Sequence, residues 1–270
     1  MLFDAHNHLQ DPRLDPWRNA LLASLQRHDI AGLVVNGTCE ADWPAVAALA
    51  RDEARVQPSF GLHPWHLAGR SADWLARLED ALVEFPSAGV GEFGLDRWMQ
   101  APDVPAQREC FLAQLALAVR LDRPATIHCL RAWGMLEELL RDATRPARGF
   151  LLHSYGGPAE MVPVFARLGA YFSISPWFAH SAKAGKLAVF QHVPLERLLI
   201  ETDAPDMAPP KEAGGELLPG GLNALGNLRL SLELLSRVRP ESSDELEASL
   251  AANHRRLFGT GLIPESFASA

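Results

Sequence analysis

Seven residues able to bind a cation or move a proton recur along the 270-residue chain: His6 and His8 in FDAHNHL, His63 in GLHPW, Glu92 in GEFGLD, His128 in TIHC, His153 in LLHS and Asp203 in IETDAP. Neutral imidazole nitrogens suit Zn²⁺ and other transition ions, and carboxylates add hard oxygen donors. On an extended strand, alternation places His6 and His8 on one face, so both imidazoles can reach a single cation. A carboxylate has two oxygens and can bridge two ions. Glu92 is the natural candidate for that place, with His128 and His153 serving the second ion. Asp203 can touch the first ion and also accept a proton from water. A bound divalent ion lowers the pKa of a coordinated water toward ~7, and two ions can hold the attacking and leaving oxygens of a phosphoryl displacement.

Each of these residues alone has an ordinary reading, since a lone H-x-H or a single buried histidine is usually structural. The case rests on where they fall. Short β-rich runs alternate with amphipathic stretches: LFDAH (2–6), GLVVNG (32–37), PSFGLH (58–63), AGVGEF (88–93), PATIHC (124–129), GFLLHS (149–154), AYFSIS (170–175) and RLLIETDA (197–204), each followed by a helical segment. The alternation indicates α/β, and apolar two-sided strands suit a parallel sheet covered by helices. Eight units in order predict a TIM-type (β/α)8 barrel, with an open doubly wound sheet as the alternative. The site residues all lie at the carboxyl ends of expected strands, which in a barrel converge on one mouth.

A Pro- and Gly-rich stretch, 205–223, reads as a loop after the last strand. The last helical stretch, SDELEASLAANHRRLFG, is expected to start with Ser243 as N-cap and to end at Gly259. Residues 1–270 are expected to form one domain, a length usual for a barrel. His63 either lines the pocket as a donor or substrate contact, or caps a strand before Pro64. Arg131, just after TIHC, either meets an anionic substrate group or is a solvated arginine. His66 reads as a loop residue, and His28, His180, His192 and His254 as surface or packing residues on helices. Trp65, Trp98, Trp133 and Trp177 follow strand ends and are candidates for pocket walls.

Composition sets outer bounds. Hydrophobic residues make up 48% and charged residues 21%, an ordinary globular balance that argues against disorder. No apolar run approaches the ~20 residues needed to cross a bilayer, and MLFDAHNHLQ lacks the features of a signal peptide, so a cytoplasmic protein is expected. The three cysteines, Cys39, Cys110 and Cys129, contain no C-x-x-C pair and predict neither a disulfide framework nor a thiolate site. The net charge of −8 provides no global field for nucleic acid, although it leaves room for a local basic rim.

FDAHNHL, GLHPW, GEFGLD, TIHC with Arg131 after it, LLHSYGG and LLIETDAP occur in this order, and the sequence resembles the TatD family of metal-dependent hydrolases in the amidohydrolase superfamily. The closing ANHRRLFG is similar to the family's C-terminal signature. The resemblance runs from Phe3 to Gly259. It implies a (β/α)8 barrel with two divalent ions (Mg²⁺, Mn²⁺ or Zn²⁺) held by His6, His8, Glu92, His128, His153 and Asp203, with Glu92 bridging and Asp203 as ligand and general base. It also implies phosphoester hydrolysis, with DNA exonuclease activity among members. The sequence departs from the family after the last strand, where GGLNALGNL keeps Asn223 but lacks the family's Glu and Pro. After His153 the family's Cys-Phe-Ser-Gly run becomes Ser154-Tyr155-Gly156-Gly157, and the seventh strand ends in Pro176 and Trp177.

Three functions follow. The first is a phosphodiesterase or deoxyribonuclease acting on a DNA 3′ end or a small phosphoester. The second is an amide, ester or lactone hydrolase, with a metal polarising a carbonyl. The third is a non-catalytic metal-binding scaffold, against which an intact Asp203 argues.

Overall fold

A computed structural model describes residues 1–259. Residues 260–270, included in the expected domain, lie outside the described residues. Eight parallel strands, β1 (Leu2–Asn7), β2 (Ile30–Asn36), β3 (Val56–Phe60), β4 (Gly89–Asp96), β5 (Ala125–Leu130), β6 (Phe150–Leu152), β7 (Ala170–Ile174) and β8 (Leu198–Ile200), pair in sequence order. The sheet closes on itself just past β8, where Asp203 N–H donates to His6 C=O (2.9 Å) and His8 N–H to Ala204 C=O (2.8 Å). This is the expected (β/α)8 barrel. The helices between strands are α1 (Arg18–Ser24), α2 (Trp43–Asp52), α3 (Trp74–Glu84), α4 (Val104–Arg120), α5 (Trp133–Asp142), α6 (Val162–Arg167) and α7 (Ala184–Leu187), followed by α8 (Leu228–Val238) and α9 (Ser243–Phe258).

The layer between strands and helices is apolar: Leu33, Val90, Phe93, Ile127, Phe150, Phe172 and Ile200 share one core with Leu78, Phe111, Leu136, Phe165 and Leu235 from the helices. The strands are less apolar than expected. Asp4, Asn36, Gln57, Ser59, Thr126 and Ser173 are buried on them, and such groups are tolerable only when hydrogen-bonded. Ser59 Oγ accordingly donates to Gly91 C=O (3.0 Å), and Gln57 Nε2 donates to Phe258 C=O (3.0 Å).

Several boundaries differ from the sequence reading. β6 and β8 are three residues long, so His153 and Asp203 stand past the strands, on the turning backbone of the rim. His63 lies beyond β3 and caps a 3₁₀ turn, Pro64–Gly69, which also contains His66. The expected seventh helix is broken into two 3₁₀ turns around the four-residue α7. The 205–223 connection contains a small antiparallel pair, β9 (Leu217–Leu218) with β10 (Leu222–Asn223). The N-cap of α9 is Ser242 rather than Ser243: Ser242 Oγ accepts from Glu245 N–H and Glu245 Oε2 accepts from Ser242 N–H, a reciprocal capping box. Glu245 stands three residues after Ser242 and decides between the two serines. α9 ends at Gly259, as expected, with φ 89°. Among the described residues no helix is long and apolar enough to cross a membrane.

Candidate metal centre

The carboxyl rim brings together His6, His8, His63, Glu92, His128, His153 and Asp203, all of them expected there. His6 Nε2 and His8 Nε2 lie 3.2 Å apart, and each is 3.4 Å from Asp203 Oδ1. Glu92 Oε2 completes this set at 3.4 Å from His6 and 3.3 Å from His8. Glu92 Oε1 faces the other way, 3.0 Å from His128 Nδ1, 2.9 Å from His153 Nε2 and 3.4 Å from His63 Nε2. His128 Nδ1 and His153 Nε2 are themselves 3.2 Å apart.

These edges fit a cation. Donor atoms 3.2–3.4 Å apart are what ~2.0–2.1 Å bonds to one tetrahedrally coordinated ion produce. Two imidazole nitrogens facing each other at 3.2 Å repel unless a proton or a metal lies between them. The carboxylates shape the electrostatics accordingly. Burial works against protonating His8 and His153, but Glu92 with Asp203, and Glu92 with Glu201, hold their pKa values well above the ordinary value. Burial also opposes a charge on Glu92 and Asp203, yet the surrounding imidazoles hold both carboxyls well below the usual range. His63 is different: burial takes it down to about 4, and a neutral ring results.

A hydrogen bond on its far side aims His8, and carboxylates stand beside the far nitrogens of His128 and His153, the arrangement that fixes tautomer and orientation in metal sites. His8 Nδ1 meets Asn36 C=O (2.8 Å), His128 Nε2 faces Asp96 Oδ2 (3.4 Å), and His153 Nδ1 faces Glu201 Oε1 (3.5 Å). Glu201 is fully buried and accepts a hydrogen bond from Ser173 Oγ. Asp4 secures the barrel seam: its carboxylate accepts Thr202 N–H (2.9 Å), Thr202 Oγ1 (2.6 Å) and His6 N–H (3.2 Å). Asp4, Asp96 and Glu201 were not singled out in the sequence, although all three lie inside the motifs FDAHNHL, GEFGLD and IETDAP.

Local backbone explains the remaining placement. Gly94 pairs with His128, and a Cβ there would stand 1.9 Å from His128 C=O, so only glycine lets β4 approach β5 this closely. Arg131, Ser154 and Asp203 have φ of 55°, 42° and 56°. Non-glycine residues held in the left-handed region are strained and need surrounding contacts to keep them there. Arg131 follows β5, which carries His128; Ser154 follows His153 directly; and Asp203 lies at the seam.

Of the candidate wall residues, Trp65 and Trp98 stand open at 61% and 63% exposure. Trp65 Nε1 donates to Asp96 Oδ2 (2.7 Å), and its ring lies 5.0 Å from His63 and 6.4 Å from His128. His63 Nδ1 accepts Trp65 N–H (3.2 Å), which makes it the cap before Pro64, while its Nε2 faces Glu92 (3.4 Å). Arg131 is exposed, its guanidinium 5.3 Å from the Trp98 ring. Trp133 is half-buried and packs edge-on against Tyr155 and Phe165. Trp177 is half-buried against His180. Cys129 is buried, and burial pushes its thiol pKa up, so it stays an uncharged filler. His254 is buried between Phe3 and Phe258.

A closed (β/α)8 barrel with five imidazoles gathered around one carboxylate at its carboxyl rim has the build of a metal-dependent hydrolase. The chain belongs to the TatD-related DNase family, whose model matches residues 3–259. It is 28% identical to the 3′-5′ ssDNA/RNA exonuclease TatD of Escherichia coli K12 over 96% of this chain and 99% of the relative. It is 30% identical to the metal-dependent hydrolase YjjV of the same organism, over 94% and 96% of the two chains. The crystal structure of the latter superposes with a TM-score of 0.89 at 28% identity, covering 96% of this chain and 98% of that one. A TatD-family hydrolase from Entamoeba histolytica, 18% identical, shares the fold with a TM-score of 0.82 over 96% and 98% of the chains.

Proposed function

We propose that this protein is a metal-dependent phosphodiesterase that releases nucleotides from the 3′ end of single-stranded nucleic acid, using two divalent ions. The observation that carries the reading is the division of Glu92, one oxygen toward His6 and His8 and the other toward His128 and His153. His6, His8 and Asp203 would hold one ion, His128 and His153 the other, and Glu92 would be shared. Bound divalent ions supply water activation near neutral pH and neutralise charge on the phosphoryl oxygens. The names of the relatives, an ssDNA/RNA exonuclease and a metal-dependent hydrolase, support this choice of reaction class.

The chain's own groups take defined parts. Asp203, kept anionic by its imidazole neighbours, accepts the proton of the attacking water. Neutral His63, whose Nδ1 accepts Trp65 N–H, keeps Nε2–H to donate on the side of Glu92 and adds no charge to the pocket wall. The exposed faces of Trp65 and Trp98 provide stacking surfaces for terminal bases, which are tolerant of sequence because every base has a π-face. Arg131 presents a guanidinium to a phosphate of the bound strand. A strand end engaged this way needs only a local cation, which reconciles the substrate with a net charge of −8.

The test is release of mononucleotides from a single-stranded DNA oligonucleotide with Mg²⁺, Mn²⁺ or Zn²⁺, for the wild type and Asp203→Asn. Metal-dependent release by the wild type alone is expected. No release with any of the three ions would overturn the nuclease reading and turn attention to small ester or amide substrates.

A further inference from the structure

The opposite end of the barrel carries an arginine-lined depression. The connections leading into β6, β7 and β8 surround an open depression of ≈ 700 Å³. Gly149, Gly169 and Arg197 line it and stand immediately before those strands, so the strands' full length separates it from the metal centre. Arg141, Arg145, Arg148, Arg167, Arg197 and Arg256 all line this depression, and among the described residues no Asp or Glu does. That is the reverse of the chain's overall charge of −8.

Helix ends explain part of this. Arg141, Arg167 and Arg256 occupy the last turns of α5, α6 and α9, where carbonyl ends favour cations. Arg145, Arg148 and Arg197 have no such reason to be there. Arg141 pairs with Glu137, and Arg148 lies 3.5 Å from Asp122. The other four have no carboxylate partner among the described residues. Three of them are instead held by neutral acceptors. Arg145 Nη1 donates to Ala143 C=O (2.9 Å), Arg197 Nη1 to Gly169 C=O (3.5 Å), and Arg256 Nη1 to Glu196 C=O (3.1 Å) and Asn253 Oδ1 (3.3 Å). Such bonds fix the guanidiniums in place and leave their charge uncompensated.

We propose that this depression binds a compact polyphosphate, either inorganic triphosphate or the triphosphate group of a nucleotide. Planar guanidinium forks match phosphate oxygens two at a time, and several converging on one concave surface suit an anion with adjacent phosphates. A single nucleic-acid strand fits less well, because strand binding uses open aromatic faces. Tyr171, the aromatic residue of the lining, is buried, and the Arg197 guanidinium covers its ring at 4.8 Å. The site is independent of the nuclease reading, and either can fail alone.

Calorimetric titration of the full chain in excess Mg²⁺ with inorganic tripolyphosphate, with ATP and with a short DNA oligonucleotide tests it. Tripolyphosphate and ATP are expected to bind within a few-fold of each other, with affinity falling as salt rises. Arg167 and Arg256 are exposed, so R167A/R256A is expected to fold, to weaken tripolyphosphate binding at least tenfold and to leave mononucleotide release unchanged. Absence of tripolyphosphate binding at ~0.15 M salt, or equal binding by R167A/R256A, would overturn the proposal. Binding of ATP alone or of the oligonucleotide alone would overturn it too, since each shows recognition of something other than linked phosphates.

Discussion

Glu92 Oε1 lies 2.9 Å from His153 Nε2, and the other oxygen of the same carboxylate is turned toward His6 and His8. One side chain thus joins two donor sets that come from opposite parts of the sheet order. Glu92→Gln keeps the shape but removes the negative charge from both sets. We expect nuclease activity to fall more than ~100-fold, beyond the range usual for partners one step removed from a metal. Circular dichroism should be unchanged. Retention of activity within tenfold would contradict the role given to Glu92.

Glu201 and Asp96 face the far nitrogens of His153 and His128. Glu201→Gln and Asp96→Asn are expected to weaken metal affinity ~10–100-fold each. Activity measured against Mn²⁺ concentration reads this as a rightward shift of the half-saturating ion concentration. A loss of maximal rate with no shift would assign these residues elsewhere.

Trp65 stands open at the mouth of the site, with its Nε1–H on Asp96. Base stacking on an aromatic side chain is worth ~1–3 kcal/mol. Trp65→Ala should therefore raise KM for a single-stranded oligonucleotide by about 5- to 150-fold, with kcat reduced less. A change confined to kcat would rule out stacking as the role of this ring.

His254 links stability to pH. Burial, and then Arg255 beside it, lowers its pKa from 6.5 to about 3, and neither ring nitrogen has a hydrogen-bond partner. Below pH 6.5 the unfolded chain binds a proton that the folded ring refuses, so the contribution is complete above that pH and is lost as pH falls toward 3. Between pH 7 and 5 the wild type should lose about 2 kcal/mol from this group. Urea unfolding of the wild type and His254→Leu at the two pH values checks it. Equal losses in both proteins would contradict it.

Chelation should separate folding from activity. The core joins strands and helices around the whole barrel and does not depend on the rim. EDTA is expected to abolish nucleotide release while leaving the far-ultraviolet spectrum intact. Collapse of that spectrum would show that the metal is part of the folding energy.

The barrel was legible because apolar runs of strand length alternate with amphipathic helices, and because titratable groups on such runs need partners. The seven rim residues could be read for the same reason. Strand length was not: β6 and β8 stop after three residues because the chain must turn to present His153 and Asp203, at the left-handed backbone of Ser154 and Asp203. Asp96 and Glu201 stood beside stronger candidates, and their orientation toward His128 and His153 depends on contacts between different strands. Trp133 showed no sign that Tyr155 would take its ring. The arginine depression draws residues from position 141 to position 256, and no local pattern announces it.

The most direct measurement is anomalous diffraction from crystals grown with Mn²⁺. Two manganese peaks are predicted, one among His6, His8 and Asp203 and one beside His128 and His153, each in contact with a different oxygen of Glu92. A single peak, or two peaks of which one lies away from Glu92, would contradict the shared carboxylate on which the account rests.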